Sequence, residues 1–226
     1  MTRGIAFLCS GGGGNLRLVS DLIDRGALPD HFISGVVADR HCQALEWARS
    51  RGFPAHLVKY NRENPGSLHK LLAELEPKLI VTTIHKILDD ELLDCYQERL
   101  INLHYSLLPA FPGAIGMEPI RLALARGCRL VGATAHRVTA ELDGGPILTQ
   151  ASVSVSAQMG ERALHDAVFR CGGVALAAAL EILGAPQELG SGGLVKTGEI
   201  DVFAGPVPAH EVCEVFRAPA FWEGLR

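Results

Sequence analysis

Asn102 and His104 stand two residues apart in the segment Ile101-Asn102-Leu103-His104-Tyr105-Ser106-Leu107-Leu108-Pro109. An amide that donates and accepts, beside an imidazole that exchanges protons near neutrality, is a pair suited to acid-base chemistry. The segment begins in a predicted strand, so a period of two puts both side chains on one face, at the carboxyl end where open α/β sheets bind ligands. On spacing alone a second reading is equally good, in which both residues hydrogen-bond loop backbone and do no chemistry.

Ser10-Gly11-Gly12-Gly13-Gly14-Asn15 is a second candidate, joining a predicted strand to a predicted helix. Its bare backbone can wrap an anion while the helix N-terminus aims N–H groups at it, and Arg17 lies one turn on. This favours phosphate or carboxylate binding over a purely structural turn. Asp39, at the end of the second predicted strand, stands where the ribose-binding acid of a dinucleotide site is expected. Leu16 replaces the third glycine of that fingerprint, however, and Asp39 reads better as a solvated strand end. No Lys-Ser or Lys-Thr follows the glycines, which argues against a mononucleotide P-loop.

The elements that must position these residues alternate between short aliphatic runs and amphipathic segments, the signature of βαβ units around a parallel sheet. Ile5 to Cys9, Phe32 to Ala38 and Leu79 to Thr83 are apolar on both sides of the pleat, as buried parallel strands must be. Asn15 to Arg25, Ala44 to Arg51 and Ser67 to Leu75 are the predicted crossover helices, the first two stopped by Gly26 and Gly52. Leu100 to Leu103 is a further strand, followed by a loop punctuated by Pro109, Pro112, Gly113 and Gly116 and a helix over Glu118 to Ala125. Leu130 to Val138 and Ile147 to Val155 read as strands flanking the turn Leu142-Asp143-Gly144-Gly145, and Glu161 to Leu183 as one long helix. After Gly184 the composition shifts to Gly, Pro and Ser, and no element is assigned.

Bulk properties narrow the function classes. A chain of 226 residues, 48% hydrophobic, can bury a sizeable core in one domain or one domain with an appendage. A net charge of -4 and the lack of a dense Lys/Arg run disfavour a nucleic-acid partner. The run Val174 to Leu183 is broken by Glu181 and too short to span a bilayer, so no membrane partner and a cytoplasmic location are expected. Cysteines 9, 42, 95, 128, 171 and 213 contain no C-x-x-C and read as reduced, mostly buried thiols. Nine histidines show none of the common zinc spacings, so no metal is expected.

Taken together, the segments Asn102 to Gly113, Gly132 to Val138 and Glu141 to Gln150, with Ser10 to Asn15 and Lys86-Ile87-Leu88 in matching order, resemble the folate-dependent formyltransferase family over about the first 185 residues. The likeness is strongest to the branch acting on glycinamide ribonucleotide. It implies an α/β, Rossmann-like formyltransferase fold, with a mostly parallel central sheet flanked by helices and a short C-terminal tail. It further implies a formyltransferase domain over 1–185, with a mononucleotide-binding half (1–100) and a catalytic, folate-binding half (101–185), and an extension over 186–226.

By that resemblance Asn102, His104 and Asp143 are the catalytic trio, with 10-formyltetrahydrofolate as formyl donor and a small primary amine as acceptor. Asn102 donates to the oxyanion of the tetrahedral adduct, and His104 shuttles a proton from the attacking amine to the departing folate nitrogen. Asp143 raises the basicity of His104; the plainer role for Asp143 is to cap the turn it lies in. His136 matches a histidine beside this site, although a core histidine paired with backbone is nearly as good a reading. The resemblance places the folate ring in a slot between His85-Lys86-Ile87-Leu88 and the stretch carrying Val138, Glu141 and Leu142, held largely by main chain. It places acceptor binding at Gly12, Gly13, Gly14 and Asn15, with Tyr105 and Ser106 nearby, and is compatible with a homodimer.

Three departures bear on the acceptor. Tyr105 stands where the family usually has proline, Arg170-Cys171-Gly172-Gly173 lacks the carboxylate that grips a ribose, and Pro65-Gly66 disturbs a segment where a basic contact to the folate lies, with Arg62 nearby as a substitute. They leave folate chemistry intact and make another amine, such as an amino sugar, amino acid or peptide-like metabolite, a rival to glycinamide ribonucleotide. Relatives that formylate initiator tRNA or hydrolyse formyl-folate are longer than this chain, which leaves no room for their added domains. A non-catalytic folate- or nucleotide-binding module and a nicotinamide-linked oxidoreductase, the latter resting on Asp39 and the glycines, complete the alternatives.

Overall fold

Ile5 to Cys9 offers no polar side chain to solvent, and in the computed structural model the strand containing it is buried from Gly4 onward. The structure describes residues 2–156, 159–184 and 191–225. It divides into two units, Met1–Asn102 with Arg137–Ala140, and Leu103–His136 with Glu141–Arg226.

In the first unit β1 (Arg3–Cys9), α1 (Gly14–Asp24), β2 (His31–Ala38), α2 (Gln43–Ser50), β3 (Ala55–Leu57), α3 (Gly66–Leu75), β4 (Leu79–Thr83) and α4 (Asp90–Tyr96) follow one another and lead into β5 (Leu100–His104). The strands are parallel in the order β3-β2-β1-β4-β5. The order reverses between β1 and β4, so the loops leaving their carboxyl ends face the crevice where such sheets bind ligands. Those loops are the glycine loop after Cys9 and the segment from His85. Ala6, Leu8, Leu72, Ile80, Leu92 and Leu100 bury one face of this sheet against α3 and α4. Asp89 caps α4, its side chain accepting from the Leu92 N–H, a bond of a kind that typically contributes about 1 kcal/mol. β3 and α4, seven residues or fewer, carry too little periodicity to be read from the sequence.

The second unit contains α5 (Glu118–Ala125), β6 (Leu130–Arg137), β7 (Ile147–Ser154), α6 (Glu161–Gly184), β8 (Gly193–Thr197), β9 (Ile200–Gly205), α7 (His210–Arg217) and α8 (Pro219–Gly224). β6 and β7 are antiparallel, and β9 and then β8 extend them, also antiparallel. The part of the chain read as a tail without elements is therefore a hairpin on the edge of β7 followed by two helices. Phe216, Phe221 and Trp222 pack with centroids 5.0–5.5 Å apart, and the Trp222 indole donates to the Phe216 carbonyl at 2.7 Å. Arg170 of α6 stacks on Trp222 and donates to the Thr197 carbonyl and the Asp166 carboxylate, tying α6 to the hairpin turn. Residues 186–190 and 226 of the expected extension lie outside the described residues.

α6 corrects one expectation. Over its whole 24 residues it is long and apolar enough to cross a membrane by length and composition, and 78% of its most apolar window is buried inside the protein, against β7 and β9. The cysteines correct another. All six are free, but only Cys9 and Cys171 are buried, while Cys42, Cys128 and Cys213 are half-buried and Cys95 is exposed.

Candidate active site

Asn102 and His104 fall on β5, two residues apart and so on one face of the strand, Asn102 closing the first unit and His104 lying just inside the second. Asp143 sits in the turn between β6 and β7, where the Gly144 N–H donates to the Glu141 carbonyl. Its φ of 54° is left-handed, a conformation Asp tolerates better than most residues. That backbone aims the carboxylate inward, leaving its side chain 8% exposed.

Three groups of the second unit meet there. Asp143 Oδ2 lies 3.4 Å from His104 Nδ1 and accepts the Gly113 N–H at 2.7 Å. Asp143 Oδ1 lies 3.5 Å from His136 Nε2. On its other edge His104 Nε2 is 2.9 Å from the Phe111 carbonyl. A carbonyl only accepts, so Nε2 carries a proton and Nδ1 is the nitrogen that faces the carboxylate. A proton taken up at Nδ1 would rest against Asp143. Burial, the largest single influence on Asp143, works to raise its pKa; the His136 hydrogen bond, the Gly113 N–H and the positive charge available on His104 and His136 outweigh it and hold the carboxyl below its ordinary range.

The loop that supplies Phe111 and Gly113 is held by residues the sequence did not single out. Thr134 Oγ1 donates to the Ser106 carbonyl at 2.7 Å and accepts the Leu108 N–H at 3.0 Å, while Gln150 Nε2 donates to the Leu108 carbonyl at 2.9 Å. Ser106 itself is buried and donates to the Ala110 carbonyl. Thr134 and Gln150 lie opposite each other on β6 and β7, and only that cross-strand register, absent from any local pattern, reveals them. Tyr105 packs its ring against α6 at Gly172, where an added Cβ would lie 2.7 Å from Cε1.

In the first unit the glycine loop exposes Gly11 and Gly12, and α1 starts with no side-chain cap. Gly13 is left-handed (φ 75°), and a Cβ there would press on Ala44 of α2 at 2.8 Å, so glycine is needed for packing as well as for any ligand. Asn15 is buried in the first turn. Arg17 turns toward Trp47, its guanidinium 5.9 Å from the ring centre, and its buried Nε has no partner. Asp39 is not the solvated strand end expected. Its side chain is 2% exposed and bonded to Ser10 Oγ and Arg40; burial opposes ionisation there, but these bonds outweigh it and lower the pKa. Arg62 pairs with Asp90.

His85, Lys86 and Ile87 are exposed while Leu88 is buried in the core cluster against which Val138 packs. Glu141 and Leu142, in the second unit, are exposed. Among the described residues one group of metal-ligand type occurs, His69, Asp89 and Glu91, brought together from sequence-distant places. Both Asp89 oxygens there already accept from His69, the Leu92 N–H and Tyr60.

Residues 3–180 match the family model described as formyl transferase. A phosphoribosylglycinamide formyltransferase of Mycobacterium tuberculosis is 34% identical over 171 residues, 73% of this chain and 77% of that protein. A formyltetrahydrofolate deformylase of Bacillus subtilis is 37% identical over 120 residues, 51% of this chain, which spans only 39% of the deformylase's length. Among solved structures, glycinamide ribonucleotide transformylase 1 of Symbiobacterium toebii superposes with a TM-score of 0.74 at 27% identity, over 92% of this chain and 95% of that one. Fold and site thus define a Rossmann-like group-transfer protein. The chain belongs to the formyl transferase family.

Proposed function

We propose that this chain is an N-formyltransferase that moves the formyl group of 10-formyltetrahydrofolate to a small primary amine. The observation that carries the reading is His104 held between the Asp143 carboxylate and the Phe111 carbonyl, two residues beyond an amide on the same strand. The amine nitrogen attacks the formyl carbon, giving an adduct with a negative oxygen and a positive nitrogen. The Asn102 amide donates to that oxygen; removing one such donor elsewhere costs roughly 10²- to 10³-fold in rate. His104 takes the amine proton and returns it to the folate nitrogen as that bond breaks, releasing the N-formylated amine and tetrahydrofolate, and Asp143 holds the proton in transit. His136 shares the Asp143 carboxylate and steadies it.

In this reading the main chain of His85 to Leu88, with Val138, Glu141 and Leu142, holds the folate, and the glycine loop from Gly12 to Asn15 holds an anionic group of the acceptor. No metal takes part. The relatives named for glycinamide ribonucleotide support that amine as acceptor. A different small amine is favoured by one observation: Tyr105 occupies the space beside Gly172, in a stretch of α6 that carries no carboxylate between Arg170 and Gly173.

The test is consumption of formyl-folate with a panel of amines that includes glycinamide ribonucleotide and a water-only control. Amine-dependent consumption is expected, abolished in His104→Ala while folate still binds. Equal consumption in water alone would make the chain a hydrolase like its deformylase relative, and wild-type transfer by His104→Ala would remove the proton carrier.

A further inference from the structure

The segment His85 to Asp89 has no regular secondary structure, and Ile87 in its middle is 62% exposed. Such a loop moves unless its peptide groups are held, and here one arrangement holds it at both ends. At the first end the His85 N–H donates to Ser10 Oγ at 2.8 Å, and Ser10 Oγ donates to Asp39 Oδ1 at 2.7 Å. At the other the Asp89 N–H donates to Tyr60 Oη at 2.8 Å, and that hydroxyl donates to Asp89 Oδ2 at 3.1 Å, with the Ile87 carbonyl at 3.3 Å. Each hydroxyl accepts from main chain and donates to a carboxylate.

Ser10, Tyr60 and Asp89 are each buried to 6% exposure or less, so these bonds compete little with water. Both carboxyls are held below the ordinary range, Asp39 by Arg40 and Ser10 against the cost of burial, Asp89 by His69, the Leu92 N–H and Tyr60 against the same cost. They stay ionised acceptors near neutrality. Leu88 anchors the middle of the segment in the core. Among the described residues the peptide groups of Lys86 and Leu88 make no hydrogen bond, so the held backbone presents polar groups at fixed positions.

We propose that Ser10 and Tyr60 are positioning residues that fix this stretch of main chain in the shape that recognises the formyl donor's flat, amide-edged ring. The proposal rests on the reading that the segment holds the folate. Because Ser10 also opens the glycine loop, it ties that loop to the donor segment through a single hydroxyl.

The test uses Tyr60→Phe, which removes the hydroxyl and keeps the ring. Losing a buried hydrogen bond that orders the donor segment should raise the donor's KM about tenfold, leave kcat within about twofold, leave the acceptor's KM unchanged, and speed exchange of the bonded amides at the segment's two ends, Asp89 and His85. Ser10→Ala should raise the donor's KM as well, and it serves as the second variant if Tyr60→Phe does not fold. An unchanged donor KM, or a fall in kcat at constant donor KM, would overturn the proposal. Direct titration of the wild-type chain with formyl-folate separates the two layers. Failure of the wild type to bind refutes the folate reading itself; equal binding by wild type and Tyr60→Phe refutes the pins alone.

Discussion

Gly172→Ala adds one methyl group in the middle of α6, and its effect on stability should change sign with the residue at position 105. In a helix interior alanine is favoured over glycine by about 0.5–1 kcal/mol. Against that, the new Cβ would lie 2.7 Å from Tyr105 Cε1 and 3.1 Å from Leu103 Cδ2, well inside the roughly 3.5–4.0 Å at which carbon atoms pack best. An aromatic ring edge must then move by nearly 1 Å, and overpacking of this kind costs about 1–3 kcal/mol. The net is a loss of about 1 kcal/mol at the middle of these ranges, or roughly 2–4 °C in Tm for a chain of this size. In a Tyr105→Ala background the ring is gone and its space lets the Leu103 side chain, the remaining close neighbour, give by a few tenths of an ångström, so the same substitution should stabilise by up to the propensity difference, about 0.5–1 kcal/mol. Urea or thermal melts of the four proteins in this cycle give the coupling directly. A rise in stability in both backgrounds would show that the ring does not lie on Gly172, and with it the case for an unusual acceptor would fall.

Two further substitutions probe the site and its frame. Asp143→Asn keeps an acceptor for the Gly113 N–H but removes the charge beside His104, so turnover should drop by about 10²-fold or more. Because the folded carboxyl is held below its unfolded value, its stabilisation is present above pH ~4 and lost as pH falls through the folded pKa; the stability gap between wild type and Asp143→Asn should close in acid, and a gap independent of pH would contradict the assigned environment. Gly132→Ala places a Cβ against the Ala151 carbonyl of β7, backbone that cannot turn aside, and should cost about 3 kcal/mol; a wild-type melting curve would refute the register of β6 and β7.

The parallel half of the fold was legible because its strands are buried on both faces and its helices carry a repeating apolar stripe. β4 (Leu79–Thr83) and α5 (Glu118–Ala125) run as expected, and the other elements read from the sequence differ from expectation by one or two residues at their ends. What escaped was short or held from afar. β8, β9 and α8 have five or six residues each, and their order comes from Arg170 and Trp222 meeting across a long sequence interval. At the site, Asn102 and His104 were visible by period, and Asp143 by resemblance. Phe111 was not, because it contributes a main-chain carbonyl and its side chain carries no signal of that role. Asp39 was misread because nothing local marks an acid at a strand end as covered; the covering groups are Ser10, 29 residues away, and its neighbour Arg40.

Asp143 governs both edges of His104, one directly and one at a distance. At Nδ1 it is the facing group. At Nε2 the partner is the Phe111 carbonyl, and Phe111 (φ 57°) and Gly113 (φ 76°) hold left-handed backbone two residues apart, a shape that relaxes readily unless something fixes it. Beyond the Thr134, Gln150 and Ser106 bonds that hold the start of the loop, its left-handed end is fixed by the Gly113 N–H to Asp143 Oδ2. The carboxylate that would hold a proton in transit therefore also sets the loop that orients His104. Truncating it to alanine removes the facing charge and frees the carbonyl clamp together, whereas asparagine removes the charge and spares the clamp. The difference in turnover between those two variants is the contribution of orientation, separated from that of charge.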